Sequence, residues 1–414
     1  MITNLHEEEK VDTDHEDTGL ALSLLNPLLR STDQYRNLLR ALEGTNTRIR
    51  AQLLSEATPY LVSTLMQDLD RPLLIVVPRA EEARRLHERL CAWVDNPERI
   101  HRFPETETLP FERLVTDIDT IQQRVQALDA LLNIGDAPPL IVASATSVAQ
   151  RTLSRESFED NTHEIGVGDV IDLDDTLELW RSMGYRFESA VYSPGFASRR
   201  GGIIDIFPVG AEMPVRIELW GDEVDSIRLF DPSSQRSTEI VRSVRIIPAH
   251  ETLPAMTDRE ELDHRLAYID ISNCTSAQQE RIREEFSQLL DGHEVDDLNL
   301  YAGFFNHGSL LEYMPESALV IRVRPDDIAA AAWDNEERIH DLRETKQGRG
   351  ELPMHFPSFH MSWNEVEPVL SNLGPQLDII YWGADDLIYD DIYVLPFGSP
   401  PTFLGQMNMF ASEA

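Results

Sequence analysis

The fold class follows from residues 48–78, which read RIRAQLLSEATPYLVSTLMQDLDRPLLIVVP. RIRAQLL is a candidate strand, SEATP is typical of a loop, and YLVSTLMQDL is typical of a helix. RPLLIVVP is a continuous apolar run, which indicates a strand buried on both faces of a parallel sheet. The order strand, loop, helix, strand predicts the first unit of an α/β domain.

The segments that follow continue this alternation. AEEARRLHERLCAWV predicts an amphipathic helix, and PLIVASA predicts another buried strand. Between them, IQQRVQALDALL carries one apolar helical stripe, formed by Ile121, Val125, Leu128 and Leu132. Because strands and helices alternate, we predict a parallel sheet covered by helices.

Near residue 154 the pattern changes to a small α+β unit of roughly 95 residues. The predicted helix DTLELWRSMGY precedes the strand-like segments GGIIDIFP, VRIELW, EVDSIRLF and VRSVRIIP. Gly221-Asp222 joins two of these segments and predicts a two-residue hairpin. Alternation then directs two sets of side chains to opposite faces, with Val215, Ile217 and Leu219 towards a core and Arg216, Glu218 and Trp220 away from it.

Composition excludes several classes of protein. A chain of 414 residues fits two or three domains. Its two cysteines, Cys91 and Cys274, are too few for a disulfide framework, and no Cys/His cluster predicts a zinc site. We therefore expect no metal. No apolar run is long enough for a membrane span, and the acidic start lacks the features of a signal peptide, so a cytoplasmic location is expected.

The net charge of −37 is the strongest compositional constraint. Contacts to phosphates require Lys and Arg, and this chain has 36 basic residues against 73 acidic ones. The chain as a whole should therefore be repelled by DNA at moderate salt, although a local basic patch can still bind an acidic partner.

Several segments resemble the amino-terminal region of the bacterial transcription-repair coupling factor (Mfd) family. FPETETLPFE with RVQALDALL resembles the signature of its first domain. PGFASRRGGIIDIFPVG, PVRIELWGDEVDSIRLFDPSSQRS and IIPAHE resemble an inserted domain that the family shares with the repair helicase UvrB. FFNHGSLLEYMPESALVIRVRP resembles the segment that returns to the first domain. The matches span roughly residues 20–400.

The resemblance implies a degenerate helicase-like domain, of the P-loop NTPase type, that is split by a small α+β UvrA-interaction domain. The expected divisions are a disordered acidic tail (1–19), the first helicase-like part (20–153), the inserted domain (154–248), the return segment (249–400) and the start of a linker or next domain (401–414). In the family, a polymerase-binding domain and a DNA translocase follow. We therefore expect this chain to be a fragment, with a natural stand-alone module as the alternative.

The phosphate-binding loop of such a domain is degenerate in this sequence. A working loop needs glycines, a Lys for the phosphates and a Ser or Thr for magnesium. Aligned without gaps to the UvrB pattern, the Lys and hydroxyl positions fall on Thr58 and Pro59, and other positions of the loop hold Gln52, Ser55 and Ala57. The acidic metal-binding pair is replaced by Val323 and Arg324. We therefore predict neither ATP hydrolysis nor any cofactor.

The resemblance places the UvrA contacts on polar residues of the inserted domain. The candidates in this chain are Arg186, Arg199, Arg200, Arg216 and Glu218. A guanidinium grips a carboxylate through two parallel hydrogen bonds, and Glu218 can receive a cation or hold Arg216 in position. The alternative is a set of surface ion pairs within the chain. A UvrB-like arginine position falls on Phe187, which is a core aromatic or an apolar anchor.

The sequence therefore predicts a non-catalytic module that recruits UvrA for transcription-coupled nucleotide excision repair. RNA polymerase and DNA are expected to bind only through domains absent from this chain. Two alternatives stay open: a degenerate helicase domain that still binds ATP, and an acidic interaction protein unrelated to repair.

Overall fold

The computed structural model describes residues 22–44, 48–106, 111–113, 117–135, 137–293, 295, 297–381 and 392–398. The predicted acidic tail (1–19) and the predicted linker (401–414) lie outside the described residues. Across the described ranges, no helix is both long enough and apolar enough to cross a membrane.

The strands of the described residues fall into two large sheets and two short pairs. In chain order they are β1 (Arg48–Leu53), β2 (Leu73–Val77), β3 (Ile100–Phe103), β4 (Leu140–Ser144), β5 (Arg151–Thr152), β6 (His163–Gly166), β7 (Arg186–Phe187), β8 (Phe196–Arg200), β9 (Ile203–Ile206), β10 (Val215–Trp220), β11 (Glu223–Phe230), β12 (Ser237–Val241), β13 (Ser243–Ile246), β14 (Gly308–Ser309), β15 (Leu319–Val323), β16 (Gln376–Tyr381) and β17 (Ile392–Val394).

Helices connect and cover these strands. In chain order they are α1 (Asn26–Arg30), α2 (Asp33–Leu42), α3 (Thr58–Asp68), α4 (Ala80–Cys91), α5 (Ile118–Leu132), α6 (Ala145–Val148), α7 (Arg155–Asp160), α8 (Leu173–Ser182), α9 (Arg259–Ala267), α10 (Ser276–Leu290), α11 (Ala302–Phe305), α12 (Leu310–Tyr313), α13 (Pro325–Gly348) and α14 (Trp363–Asn372). Short 3-10 turns lie at Leu22–Leu25, Ser55–Ala57, Pro97–Arg99, Pro254–Met256 and Leu298–Tyr301.

The larger sheet has seven strands in the order β17-β1-β16-β15-β2-β4-β3, and every pair in it is parallel. Strands β1 to β4 come from the first part of the chain, whereas β15 to β17 come from beyond residue 318. Because β15 lies between β2 and β16, the sheet forms only when the two parts of the chain combine. The predicted α/β class and split parallel sheet are confirmed.

The apolar run of β2 is buried on both faces of this sheet. Leu74 and Val76 belong to one hydrophobic core, and Leu73, Ile75 and Val77 belong to the core on the opposite face. A strand that contributes to two cores cannot alternate polar and apolar residues, and this explains the unbroken run in the sequence. The predicted helical stripe is also confirmed, with Ile121, Val125 and Leu128 buried and Leu132 packed against the first core.

The second large sheet has six strands in the order β12-β11-β10-β9-β8-β7. Its inner face packs under α8, and Trp180, Ile204, Ile217 and Ile227 join the same core as β2 and β4 of the parallel sheet. The predicted hairpin is confirmed, because Gly221-Asp222 joins β10 to β11 and Gly221 has a φ of +66°. The polar strands β7, β8 and β12 were not predicted.

Helices α9, α10 and α11 form a further unit around a third core. Leu262 of α9, Leu289 of α10 and Phe304 of α11 pack together with Tyr301 and Phe356. This unit lies between the six-stranded sheet and β15 in the chain, so it is a second excursion from the parallel sheet.

A buried ion pair lies where the chain leaves the parallel sheet for the six-stranded sheet and where it returns. The Arg124 Nε donates to the Glu251 carboxylate at 2.6 Å, and their side chains are 0% and 5% exposed. Arg124 also donates to the Pro104 carbonyl at 2.8 Å, and its guanidinium lies 3.9 Å from the Phe103 ring centroid. Thr152 donates its hydroxyl to the same carboxylate. One pair therefore connects β3, α5, β5 and the returning chain.

Replacing Glu251 by Ala should lower the free energy of unfolding by about 3–5 kcal/mol, because it leaves the Arg124 charge buried without a counter-charge. The matched control is Arg155→Ala, which removes an exposed pair with Glu159 and should cost below about 1 kcal/mol. Urea unfolding followed by circular dichroism measures both. Equal losses of unfolding free energy in the two variants would show that the pair between Arg124 and Glu251 does not stabilise the fold more than an exposed pair does.

Candidate partner-binding surface and the phosphate-loop position

The registers of the six-stranded sheet place three of the candidate residues, Arg200, Arg216 and Glu218, in two rows on one face. The first row is Ser198, Asp205, Arg216, Arg228 and Ile240, and the second is Arg200, Ile203, Glu218 and Ser226. We call these residues the outer face. The side chains between them, such as Ile204 and Ile217, point to the buried core. The pleat therefore separates a packed face from a polar one.

Arg216 is held by a neighbour that sequence reasoning missed. Its Nε and Nη2 atoms donate to the two carboxylate oxygens of Asp205 at 2.7 and 2.9 Å. Its guanidinium also lies 4.8 Å from the ring centroid of Phe230. The hydrogen bonds that Arg216 donates to Asp205 raise the pKa of Arg216, so the guanidinium stays charged and fixed in orientation. Only the β9–β10 register brings Asp205 opposite Arg216, and no local sequence signal marks that pairing.

Glu218 does not hold Arg216 in place, so that expectation is corrected. Its carboxylate accepts a hydrogen bond from the Ser226 hydroxyl at 2.9 Å, across the β10–β11 pair. The buried Asp205 lies directly opposite Arg216 in the register and is the better-placed carboxylate. Glu218 keeps acceptor capacity on a half-buried side chain, so it can still receive a cation from outside.

Arg200 and Arg186 lie at the β7–β8 side of the outer face. Arg200 is exposed and donates from Nη2 to the Ser189 carbonyl at 2.8 Å, which orients the guanidinium without neutralising it. Arg186 is also exposed and pairs in register with Phe196, which precedes Ser198 and Arg200 on the same side of β8. The structure therefore brings four of the five predicted residues to one face.

Arg199 lies on the opposite face of the same strand. It pairs in register with the inward residue Ile204, and its Nη1 lies 2.8 Å from the carboxylate of Asp174 on α8. The sequence analysis assigns Arg199 and Arg200 the same type of role, but the pleat points adjacent residues in opposite directions. Phe187 likewise faces inward and packs against the first core, with Arg181 4.6 Å from its ring centroid. It is a core aromatic.

The phosphate-loop position lies between β1 and α3 and is closed by side chains. Thr58 and Pro59 begin α3 and are buried. The Thr58 hydroxyl lies 3.3 Å from the hydroxyl of Tyr381 at the end of β16, and burial raises the pKa of that phenol. Pro59 has no backbone N–H to offer a phosphate. The exposed carboxylate of Glu56, in the 3-10 turn before α3, would repel one.

Arg324 lies at the position that the sequence analysis aligns with one member of an acidic metal-binding pair. Arg324 follows β15 with a φ of +57°, and its Nη1 lies 2.9 Å from Asp327. It also forms an ion pair with Glu82, and its guanidinium lies 5.7 Å from the ring centroid of Tyr381. Among the described residues, no group of three or more His, Cys, Asp or Glu side chains could hold a metal ion.

Comparison with known proteins identifies the unit that carries the outer face. A family model described as the UvrB interaction domain matches residues 164–251. The transcription-repair-coupling factor of Bacillus subtilis (strain 168) is 28% identical over 334 residues, which are 78% of this chain and 27% of that protein. The factor of Myxococcus xanthus is 28% identical over 318 residues, which are 72% of this chain and 26% of that protein.

The resemblance to the amino-terminal region of transcription-repair coupling factors is confirmed. The corresponding factor of Escherichia coli (strain K12) is 28% identical over 219 residues, or 53% of this chain and 19% of its own length. This chain thus spans about a quarter of the length of the first two coupling factors. The matched interaction domain contains β7 to β12 and therefore the whole outer face.

Asp205 and Glu218 should contribute unequally to stability, although both are carboxylates on the outer face. Asp205→Ala should cost about 2–4 kcal/mol, because it removes two charge-assisted hydrogen bonds and leaves Arg216 half-buried without a counter-charge. Glu218→Ala removes one hydrogen bond and should cost about 1 kcal/mol or less. Thermal or urea unfolding measures the difference, and a larger loss for Glu218 would contradict the assigned pairing.

Proposed function

We propose that this chain is a recruitment module that binds UvrA through the outer face of its UvrB interaction domain. The observation that carries the proposal is the coincidence of the matched family domain with this face. Arg200 is exposed and Arg216 is fixed by Asp205, so both present oriented guanidinium groups. Oriented arginines suit recognition of carboxylates on a partner protein, and they stand out in a chain with a net charge of −37.

We further propose that the helicase-like domain does not hydrolyse ATP. Buried Thr58 in the Lys position has no charge to offer the phosphates, and its hydroxyl is engaged with Tyr381. Arg324 brings a positive charge to the place where magnesium needs carboxylates. This domain then serves as a scaffold that fixes the two ends of the inserted unit.

A module of this kind works in the cytoplasm, where it meets UvrA. Contacts with RNA polymerase and DNA belong to other domains of a coupling factor, because the excess of acidic over basic residues disfavours binding to phosphates.

The direct test is calorimetric titration of purified UvrA into the full chain and into two single variants. Arg200→Ala should weaken binding about tenfold or more, since it removes an exposed guanidinium from the outer face. Arg199→Ala is the matched control, because it removes the same group one residue away on the opposite face. Binding of the control should stay within about twofold of the unmodified chain.

Each outcome of the titration has a definite meaning. Saturable binding that is lost with Arg200 and kept without Arg199 supports recruitment through the outer face. Equal losses in both variants would remove the outer face as the assigned surface. No binding of the unmodified chain at tens of micromolar UvrA would reject the recruitment role itself.

Nucleotide binding is tested separately, with a fluorescent ATP analogue and magnesium. We expect no saturable signal at millimolar ATP, because the loop offers neither a Lys nor carboxylates for the metal. A Tyr381→Ala variant controls for occlusion by the tyrosine and should also bind none. Saturable binding by the unmodified chain, competed by unlabelled ATP, would favour the alternative of an ATP-binding domain.

A further inference from the structure

The outer face carries exposed apolar side chains that the predicted arginine site leaves unexplained. Ile203 is 37% exposed, Ile240 is 70% exposed, and Trp220 at the end of β10 is 82% exposed. Single exposed apolar residues are common on soluble proteins, so these side chains indicate a surface only together with the charged residues near them. Trp is also among the residues that most often dominate binding at protein interfaces.

Arg228 lies beside Ile240 and forms no ion pair with another of the residues that the structure describes. In the registers it is opposite Arg216 on one side and Ile240 on the other. Asp205 neutralises Arg216, whereas the only described contact of Arg228 is from its Nε to the Ser226 hydroxyl at 3.4 Å. Because Asp205 is already engaged by Arg216, a carboxylate on a partner is suited to pair with Arg228.

β12 leaves this side of the sheet open. It is the edge strand of the sheet, and four of its five residues are exposed, among them Ile240. Among the described residues, β12 pairs only with β11. A partner can therefore approach Ile240 from the edge of the sheet and Arg228 from the side of the outer face.

We propose that Trp220, Arg228 and Ile240 form a second contact zone for the partner that binds Arg200 and Arg216. The zone takes a partner surface that presents a carboxylate to Arg228 and apolar side chains to Trp220 and Ile240. This inference rests on the proposed recruitment of UvrA, and it extends the contact surface from β8 to β12. A second copy of this chain is a poor occupant, because two chains of −37 repel each other.

The experiment titrates UvrA into the full chain carrying Arg228→Glu, Ile240→Asp or Trp220→Ala. Each variant should weaken binding about tenfold or more, through charge repulsion or loss of apolar contact. Three matched controls make the same changes at exposed positions away from the sheet: Arg283→Glu on α10, Val369→Asp on α14 and Tyr268→Ala after α9. Circular dichroism confirms that each variant is folded, and light scattering gives the mass of the free chain.

Binding weakened by the three variants and unchanged in the controls supports the second contact zone. If UvrA binds and only Arg200→Ala weakens it, the second zone is wrong and recruitment stands. If the unmodified chain does not bind UvrA, both the recruitment proposal and the second contact zone are rejected. A dimeric free chain that Ile240→Asp converts to a monomer would assign the zone to self-association and overturn the proposal.

Discussion

The buried pair between Arg124 and Glu251 is the constraint on which the arrangement of the chain depends. Charges without water require close partners, and this pair meets that need with a carbonyl, a hydroxyl and an aromatic ring around it. Its members come from α5 of the parallel sheet and from the chain that returns after the six-stranded sheet. The charged groups thus fix where the chain that forms the six-stranded sheet leaves and rejoins the parallel-sheet domain. Apolar packing alone is less directional.

A shared core makes the outer face available for binding. Ile204, Ile217 and Ile227 of the six-stranded sheet pack in the same core as Leu74 and Val76 of the parallel sheet. Because one face of an antiparallel sheet supplies most of the buried surface, the other face can carry exposed polar side chains such as Arg200. The arginines of that face need only local neighbours, such as Asp205, to be oriented. The apolar core therefore lies on one side of these strands, and the candidate partner-binding residues lie on the other.

The sequence predicted the strands whose residues are buried. It did not predict the residue roles that depend on which strands pair. β2 and the β10–β11 hairpin were predicted because two buried faces and a Gly-Asp turn leave strong local patterns. β8 and β12 were missed because FASRR and STEIV are short and polar. Arg199 and Arg200 received similar roles, and only the register of β8 with β9 separates their faces. Asp205 was overlooked for the same reason, since its importance arises from a residue eleven positions away.

Side-chain contacts join the three strands β1, β15 and β16 beside the position aligned with a phosphate loop. In the middle of β16, Asp378 accepts from the Nε atoms of Arg322, near the end of β15, and of Arg48, at the start of β1, at 2.8 and 2.9 Å. At the carboxyl end, Tyr381 meets Thr58 and Arg324, so side chains fill the space between the same three strands. These contacts join β1, β15 and β16 through side chains as well as through their parallel backbone pairing. The parallel sheet is therefore a firmly connected support for the six-stranded sheet, with which it shares a core.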